Sequence, residues 1–193
     1  MTTPIETHRP DTGWLKTYYY LRFATAAVWV ALAMTLGRHT PPLAAVMLVA
    51  YPAWDALANY LDASRSGGLA RNTSQLLNVV VSIVTAVAVA LALPHGMHEV
   101  LKGFGVFASL SGLFQLVTGA RRWKSYGAQW AMILSGAQSA LAGVFMLKQA
   151  AGSDMVSIAN TAPYAAFGAF YFAVSAISLT ISDARRRSKA VAV

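Results

Sequence analysis

Cysteine is absent from the 193-residue chain, which excludes disulfides, thiol nucleophiles and cysteine-based metal sites. Charge is scarce. Charged residues make up 11% of the chain and hydrophobic ones 56%, whereas a soluble domain carries about 25% charge and about 45–50% apolar residues. Acids are scarcest, with seven Asp and Glu against fifteen Lys and Arg. No G-x-x-x-x-G-K-[ST], G-x-S-x-G or H-E-x-x-H string occurs, and these are the strings that mark phosphate loops, serine hydrolases and zinc proteases. No pair of histidines falls inside the apolar runs where a haem would be held. Asp55 and Asp62, with Arg65 and Gly67-Gly68, faintly resemble membrane phosphatidyltransferases, but the denser D-G-x-x-A-R array with two later carboxylates is missing. The chain is therefore expected to be non-enzymatic, with no catalytic set, cofactor or metal.

What fills the chain is long apolar runs. A spanning helix needs roughly 20 mostly apolar residues, and six runs qualify: 18–37, 42–61, 75–94, 100–119, 128–147 and 161–181. The expected fold is all-α, an integral membrane bundle of six transmembrane helices arranged as three helical hairpins, 18–61, 75–119 and 128–181. A segment 1–17 precedes the transmembrane domain 18–182, and a basic tail 183–193 follows it. A cleaved signal peptide ending at Ala31-Leu32-Ala33 is a competing reading, disfavoured by the long polar leader and the spanning segment that follows at once.

The net charge of +8 is placed by topology and does not point to nucleic acid. With the N-terminus in the cytoplasm, twelve of the fifteen basic residues fall on that side and only Arg38, Lys102 and Lys148 opposite. This is the positive-inside pattern, so both termini are expected in the cytoplasm of a bacterial inner membrane. Basic ends such as Arg185-Arg186-Arg187 then suit anionic lipid headgroups. Trp14, Tyr18, Tyr19 and Tyr20, with Trp123, Tyr126 and Trp130, read as an interfacial aromatic belt.

An internal echo supports a repeat. Ser111–Arg122 aligns without gaps to Ser175–Arg186, and the second apolar run ends similarly in Asp62-Ala63-Ser64-Arg65. Odd-numbered helices begin roughly 55 residues apart, a repeat-like period. Each hairpin re-enters the cytoplasm, so the copies would be parallel rather than inverted. Gly105, Ser109 and Gly112 in the fourth run, and Gly136, Ala140 and Gly143 in the fifth, form small-residue stripes. Such stripes let helix backbones approach closely in lipid, inside one protomer or between copies of a homo-oligomer.

Six short helices, with even ones built from small and aromatic residues and ending in Arg, resemble the HdeD-like proteins, small bacterial inner-membrane proteins containing a repeated domain of unknown function. Gly105 to Arg122, Trp130 to Leu147 and Tyr164 to Ser182 carry the resemblance. It implies a multipass membrane protein without enzymatic activity, linked in some members to acid stress. The first hairpin departs from the pattern, since Tyr51-Pro52-Ala53-Trp54-Asp55 through Asp62 is more polar and aromatic.

That departure holds the strongest signal. Asp55 lies seven residues before Asp62, or roughly 10 Å deeper at 1.5 Å per residue, and a carboxylate at such depth needs a partner or water. Tyr51, Asp55, Asn59 and Asp62 share one helix face. Gln75, Asn78, Ser82 and Thr85 share a face of the third helix, Arg22 is a cation at comparable depth, and Gln115 and Gln138 add polar atoms. Two readings stand: a cytoplasm-facing polar cavity for a proton, ion or solute, which a small or proton-coupled transporter could use, or an Arg–Asp–Asn network that locks three helices together. Pro52 suits both, because it frees a carbonyl and kinks its helix beside Asp55. On the opposite side, His39, His95 and His98 would charge in acid, since histidine titrates near pH 6.5, and are candidate pH-sensing residues. His95, His98 and Glu99 offer only a loose metal spacing.

Overall fold

A computed structural model describes residues 12–122 and 129–191 of the chain. It consists of six long helices: α1 (Thr12–Met34), α2 (Pro41–Arg65), α3 (Thr73–Ala92), α4 (Met97–Arg122), α5 (Gln129–Ala151) and α6 (Ala162–Val191). No strand occurs among the described residues. Among these residues, five helical stretches are long and apolar enough to cross a membrane. Their outer faces expose residues such as Val28, Val46, Ile83, Leu91, Leu141 and Phe170. A surface so apolar is stable only in lipid, and the protein is a multipass, all-helical membrane protein.

The helices run past the apolar segments at both ends. α1 begins at Thr12, six residues before the apolar run. The basic tail is helical too, since α6 continues to Val191. Ala, Arg and Lys are strong helix formers, and no Gly or Pro follows Gly168 to stop the helix. Apolarity locates the part of a helix that meets lipid, whereas the helix itself ends where capping or a breaker ends it. α2 ends that way: Gly67 and Gly68 take positive φ values of 97° and 87°, and Gly68 N–H returns to Ala63 O at 2.8 Å. The Gly-Gly pair thus serves the turn. Arg9, Trp123, Lys124 and Tyr126 lie outside the described residues.

The helices follow one another around a ring that α1 closes against α6. The sequence reading pairs helices within hairpins, but the broadest contacts run between successive hairpins: α4 with α5, α1 with α6, and α2 with α3. Helices joined across the three connections near His39, His95 and Ile158 touch less, and α5 barely meets α6. Side chains explain the contrast. α1 and α6 are tied by the Lys16–Asp183 ion pair at 2.6 Å and the Tyr20–Thr180 hydrogen bond at 3.1 Å. α4 and α5 meet through the two small-residue stripes. A Cβ on Gly136 would lie 2.8 Å from Gly112 O, and one on Gly105 would lie 3.0 Å from Gly143 O. The stripes therefore pack backbone on backbone inside one protomer.

The apolar core fills one end of the ring. Trp29, Ala33, Met47, Leu48, Val89, Val100, Leu101, Phe104, Met146 and Ile158 form one buried cluster. These residues come late in odd helices and early in even ones. The α5–α6 connection lies over this end, where a short 3-10 turn (Ile158–Thr161) is held by a reciprocal Ser157–Asn160 capping box. Ile158 packs down beside Gly37, where a Cβ would come within 3.2 Å.

The close α4–α5 seam should not tolerate side chains. Gly112→Val is expected to force the helices apart at about 1–3 kcal/mol, the usual cost of overpacking. Gly103→Ala, with nothing within 4 Å, should be neutral. Thermal unfolding of the purified protein in detergent checks this, with a clearly lowered midpoint for the first variant only.

Candidate functional site

Beyond the apolar cluster, toward the end that holds the start of α1, the end of α6 and the 66–72 turn, the ring is hollow. A cavity of about 400 Å³ is lined by residues from all six helices. Arg22, Tyr51, Asp55, Asn59, Asp62, Gln75, Asn78 and Gln115 all line it.

The α2–α3 wall is built by helical spacing. Positions 55, 59 and 62 recur on one face of α2, and 75, 78 and 82 face them from α3. Ser82 Oγ donates to Asp55 Oδ2 at 2.6 Å, Asn78 Nδ2 to Asn59 Oδ1 at 3.4 Å, and Gln75 Nε2 to Asp62 Oδ2 at 3.2 Å. Asn59 also donates to the Asp55 carboxylate at 3.2 Å. The result is a ladder of polar rungs running from Asp62, near the 66–72 turn, to Ser82 and Asp55 at mid-depth.

Arg22 of α1 forms an ion pair with Asp55, and of the two carboxylates in the cavity this is the one it selects. The guanidinium also donates to the Tyr18 hydroxyl at 3.0 Å and lies 4.3 Å from the Phe172 ring centroid. Its side chain is only 9% exposed, against 31% for Asp55. The cation is enclosed by aromatic rings, while its carboxylate partner faces the hollow. Enclosing an arginine requires such compensation. Asp62 sits in a second arrangement. Trp14 Nε1 donates to it at 3.3 Å, and the Arg65 guanidinium lies over the Trp14 ring at 3.9 Å.

The aromatic-belt expectation is corrected at three positions. Tyr18 and Tyr19 line the cavity, and Trp14 is bonded to Asp62. Each shares a helix face with Arg22 or contacts α2, so ring closure turns them inward. Of Trp14, Tyr18, Tyr19 and Tyr20, Tyr20 alone is exposed. The other half of the wall escaped sequence reasoning: Phe104, Phe107 and Ser111 on α4, Ser135 and Ser139 on α5, and Tyr164, Phe167, Tyr171 and Phe172 on α6. Their signal was an i, i+3, i+7 recurrence of aromatic or hydroxyl residues, as at 164, 167 and 171. Tyr171 donates to Gln138 Oε1 at 2.6 Å across the sparse α5–α6 seam. Gln115 Oε1 is buried without a hydrogen-bond partner.

The histidines do not converge. His39 is exposed beside Arg38 on a 3-10 turn. His95 turns to Leu91 O and His98 to Asp154 O, both at 3.1 Å, and Glu99 pairs with Lys102. His98 thereby ties α4 to the α5–α6 connection. Among the described residues no group of three potential metal ligands forms.

Residues 77–148 match the model of a family described as a short repeat of unknown function (DUF308). The match spans most of α3, all of α4 and most of α5, and it is consistent with the HdeD-like repeat resemblance seen in the sequence. No curated protein and no solved structure matches the chain.

Breaking the buried pair from one side should cost more than removing both partners. Asp55→Leu is expected to destabilise by about 3–5 kcal/mol, because Arg22 is left charged and enclosed. Arg22→Met/Asp55→Leu should recover most of that loss. The order of thermal midpoints in detergent decides; a double variant no better than the single one would show that the pair is not what Asp55 contributes.

Proposed function

We propose that the chain is a non-enzymatic, HdeD-like bacterial inner-membrane protein. It has six spanning helices in three hairpins, both termini in the cytoplasm, and a cytoplasm-facing cavity around Asp55 that holds a small solute. One observation carries this reading: a hollow lined from all six helices, with a carboxylate turned into it and an apolar plug behind it. A helix-locking network alone would need no such volume. The distribution of Lys and Arg supports the orientation, because the described basic segments lie mostly at the end opposite the apolar plug. The HdeD-like resemblance adds a role in acid or envelope stress, in which His39, His95 and His98 at the sealed end would meet periplasmic acid. Anionic headgroups at the basic ends, and further copies of the chain, are the partners this reading implies.

The apolar plug at one end of the cavity favours a second reading. A polar site backed by such a plug is what one half of an alternating-access cycle presents, so a solute or proton-coupled carrier using Asp55 is the alternative. A membrane-embedded enzyme ranks behind both, since Asp55 and Asp62 are two helical turns apart.

The cysteine-free chain makes the test direct. Asn78→Cys is expected to react with a membrane-impermeant maleimide in inverted inner-membrane vesicles, whereas Leu48→Cys in the plug should be inert from either side. Labelling at position 78 only from the periplasmic face of intact cells would overturn the orientation. In proteoliposomes, flux present in the wild type and lost in Asp55→Asn would favour the carrier. Equal, negligible flux in both across candidate ions would remove it.

A further inference from the structure

We propose that the cavity binds a small organic cation, an ammonium group carrying apolar substituents; this rests on the reading of the cavity as a solute site. Among the described residues, the charged groups of the lining are two carboxylates, Asp55 and Asp62, and one guanidinium, Arg22. This described lining is thus one negative charge in excess. Arg22 is already paired with Asp55 and enclosed, so among the described residues no cation of the wall remains for Asp62. Asp62 is only 7% exposed, and its oxygens receive one long, neutral N–H each, from Trp14 at 3.3 Å and Gln75 at 3.2 Å. Among the described residues it makes no ion pair. The nearby guanidinium of Arg65 is engaged on the face of Trp14. A buried carboxylate held only by neutral donors is poorly compensated, and a cationic ligand supplies the missing charge.

The rest of the wall fits the apolar part of such a ligand. Tyr19, Tyr51, Phe107, Tyr164, Phe167 and Tyr171 surround the hollow, and aromatic faces attract ammonium groups, alkylated ones included. Gln115 Oε1, an acceptor with no partner, can take an N–H or O–H from the same molecule. An anion would meet two carboxylates and find the one arginine committed. A metal ion would find those carboxylates roughly 10 Å apart along α2, at 1.5 Å per residue. The cavity of about 400 Å³ lies within the usual small-molecule range of about 300–1,000 Å³.

Choline and 3,3-dimethyl-1-butanol form a decisive pair of probes, with nearly the same shape but a quaternary nitrogen in the first and a neutral carbon in the second. In calorimetric titrations of the full chain in detergent, choline is expected to bind about tenfold or more tightly than the alcohol, a difference worth about 1.4 kcal/mol. Asp62→Asn should reduce that preference several-fold. Choline should also slow maleimide labelling of Asn78→Cys, and the alcohol should not. Equal binding of the two probes, or no choline binding and no protection, overturns the cation proposal. If Asn78→Cys is still labelled from the cytoplasmic side in that case, the cavity reading survives; if it is not, both fail. Should Asp62→Asn not fold, the two-probe comparison on the wild type decides alone.

Discussion

The polar half of the structure depends on how a guanidinium and a carboxylate are accommodated within a helix bundle. Neither Arg22 nor Asp55 can face lipid, since an uncompensated charge there costs several kcal/mol. Their pairing therefore fixes the rotation of α1 and α2 about their axes. Once α2 presents Asp55 inward, Asn59 and Asp62 follow on the same face, and α3 answers with Ser82, Asn78 and Gln75. Phe172 and Tyr18 cover the guanidinium and bring α6 and α1 into the same arrangement.

A second constraint acts on the far side. Lipid supplies no hydrophobic drive between helices, so α4 and α5 hold together through backbone proximity at glycine, alanine and serine. The two halves of the ring thus cohere by different physics, polar rungs on one side and close packing on the other. The α5–α6 seam has little of either beyond the Tyr171–Gln138 bond. The apolar plug of Trp29, Leu48, Leu101 and Ile158 closes the ring at the connection end, which leaves the hollow only at the opposite end.

Much of this was legible from residue spacing. The stripes at 105, 109 and 112 and at 136, 140 and 143 meet each other. The recurrence 55, 59, 62 picks out one wall, because side chains four and seven apart share a helix face whatever the helix packs against. The second wall was harder to read. Tyr164, Phe167 and Tyr171 have the spacing of a lipid-facing stripe as much as that of a cavity lining. Tyr18 and Tyr19 likewise fit an interfacial belt as well as an inward face. Aromatic rings are stable in either environment, so their identity does not reveal their direction.

The sequence by itself determined that the chain is helical, that it lives in lipid, that its charge is sorted by side, and that α2 carries a carboxylate needing a partner. These are properties of single helices and of their transfer from water to hydrocarbon. The tertiary structure alone decided that Arg22 pairs with Asp55 and not with Asp62, that successive hairpins pack more closely than the helices within one, and that aromatics from α4 and α6 close around the polar ladder. Those outcomes depend on how six helices rotate and close into a ring, and helical periodicity, which repeats identically around each helix, carries no information about which neighbour its face will meet.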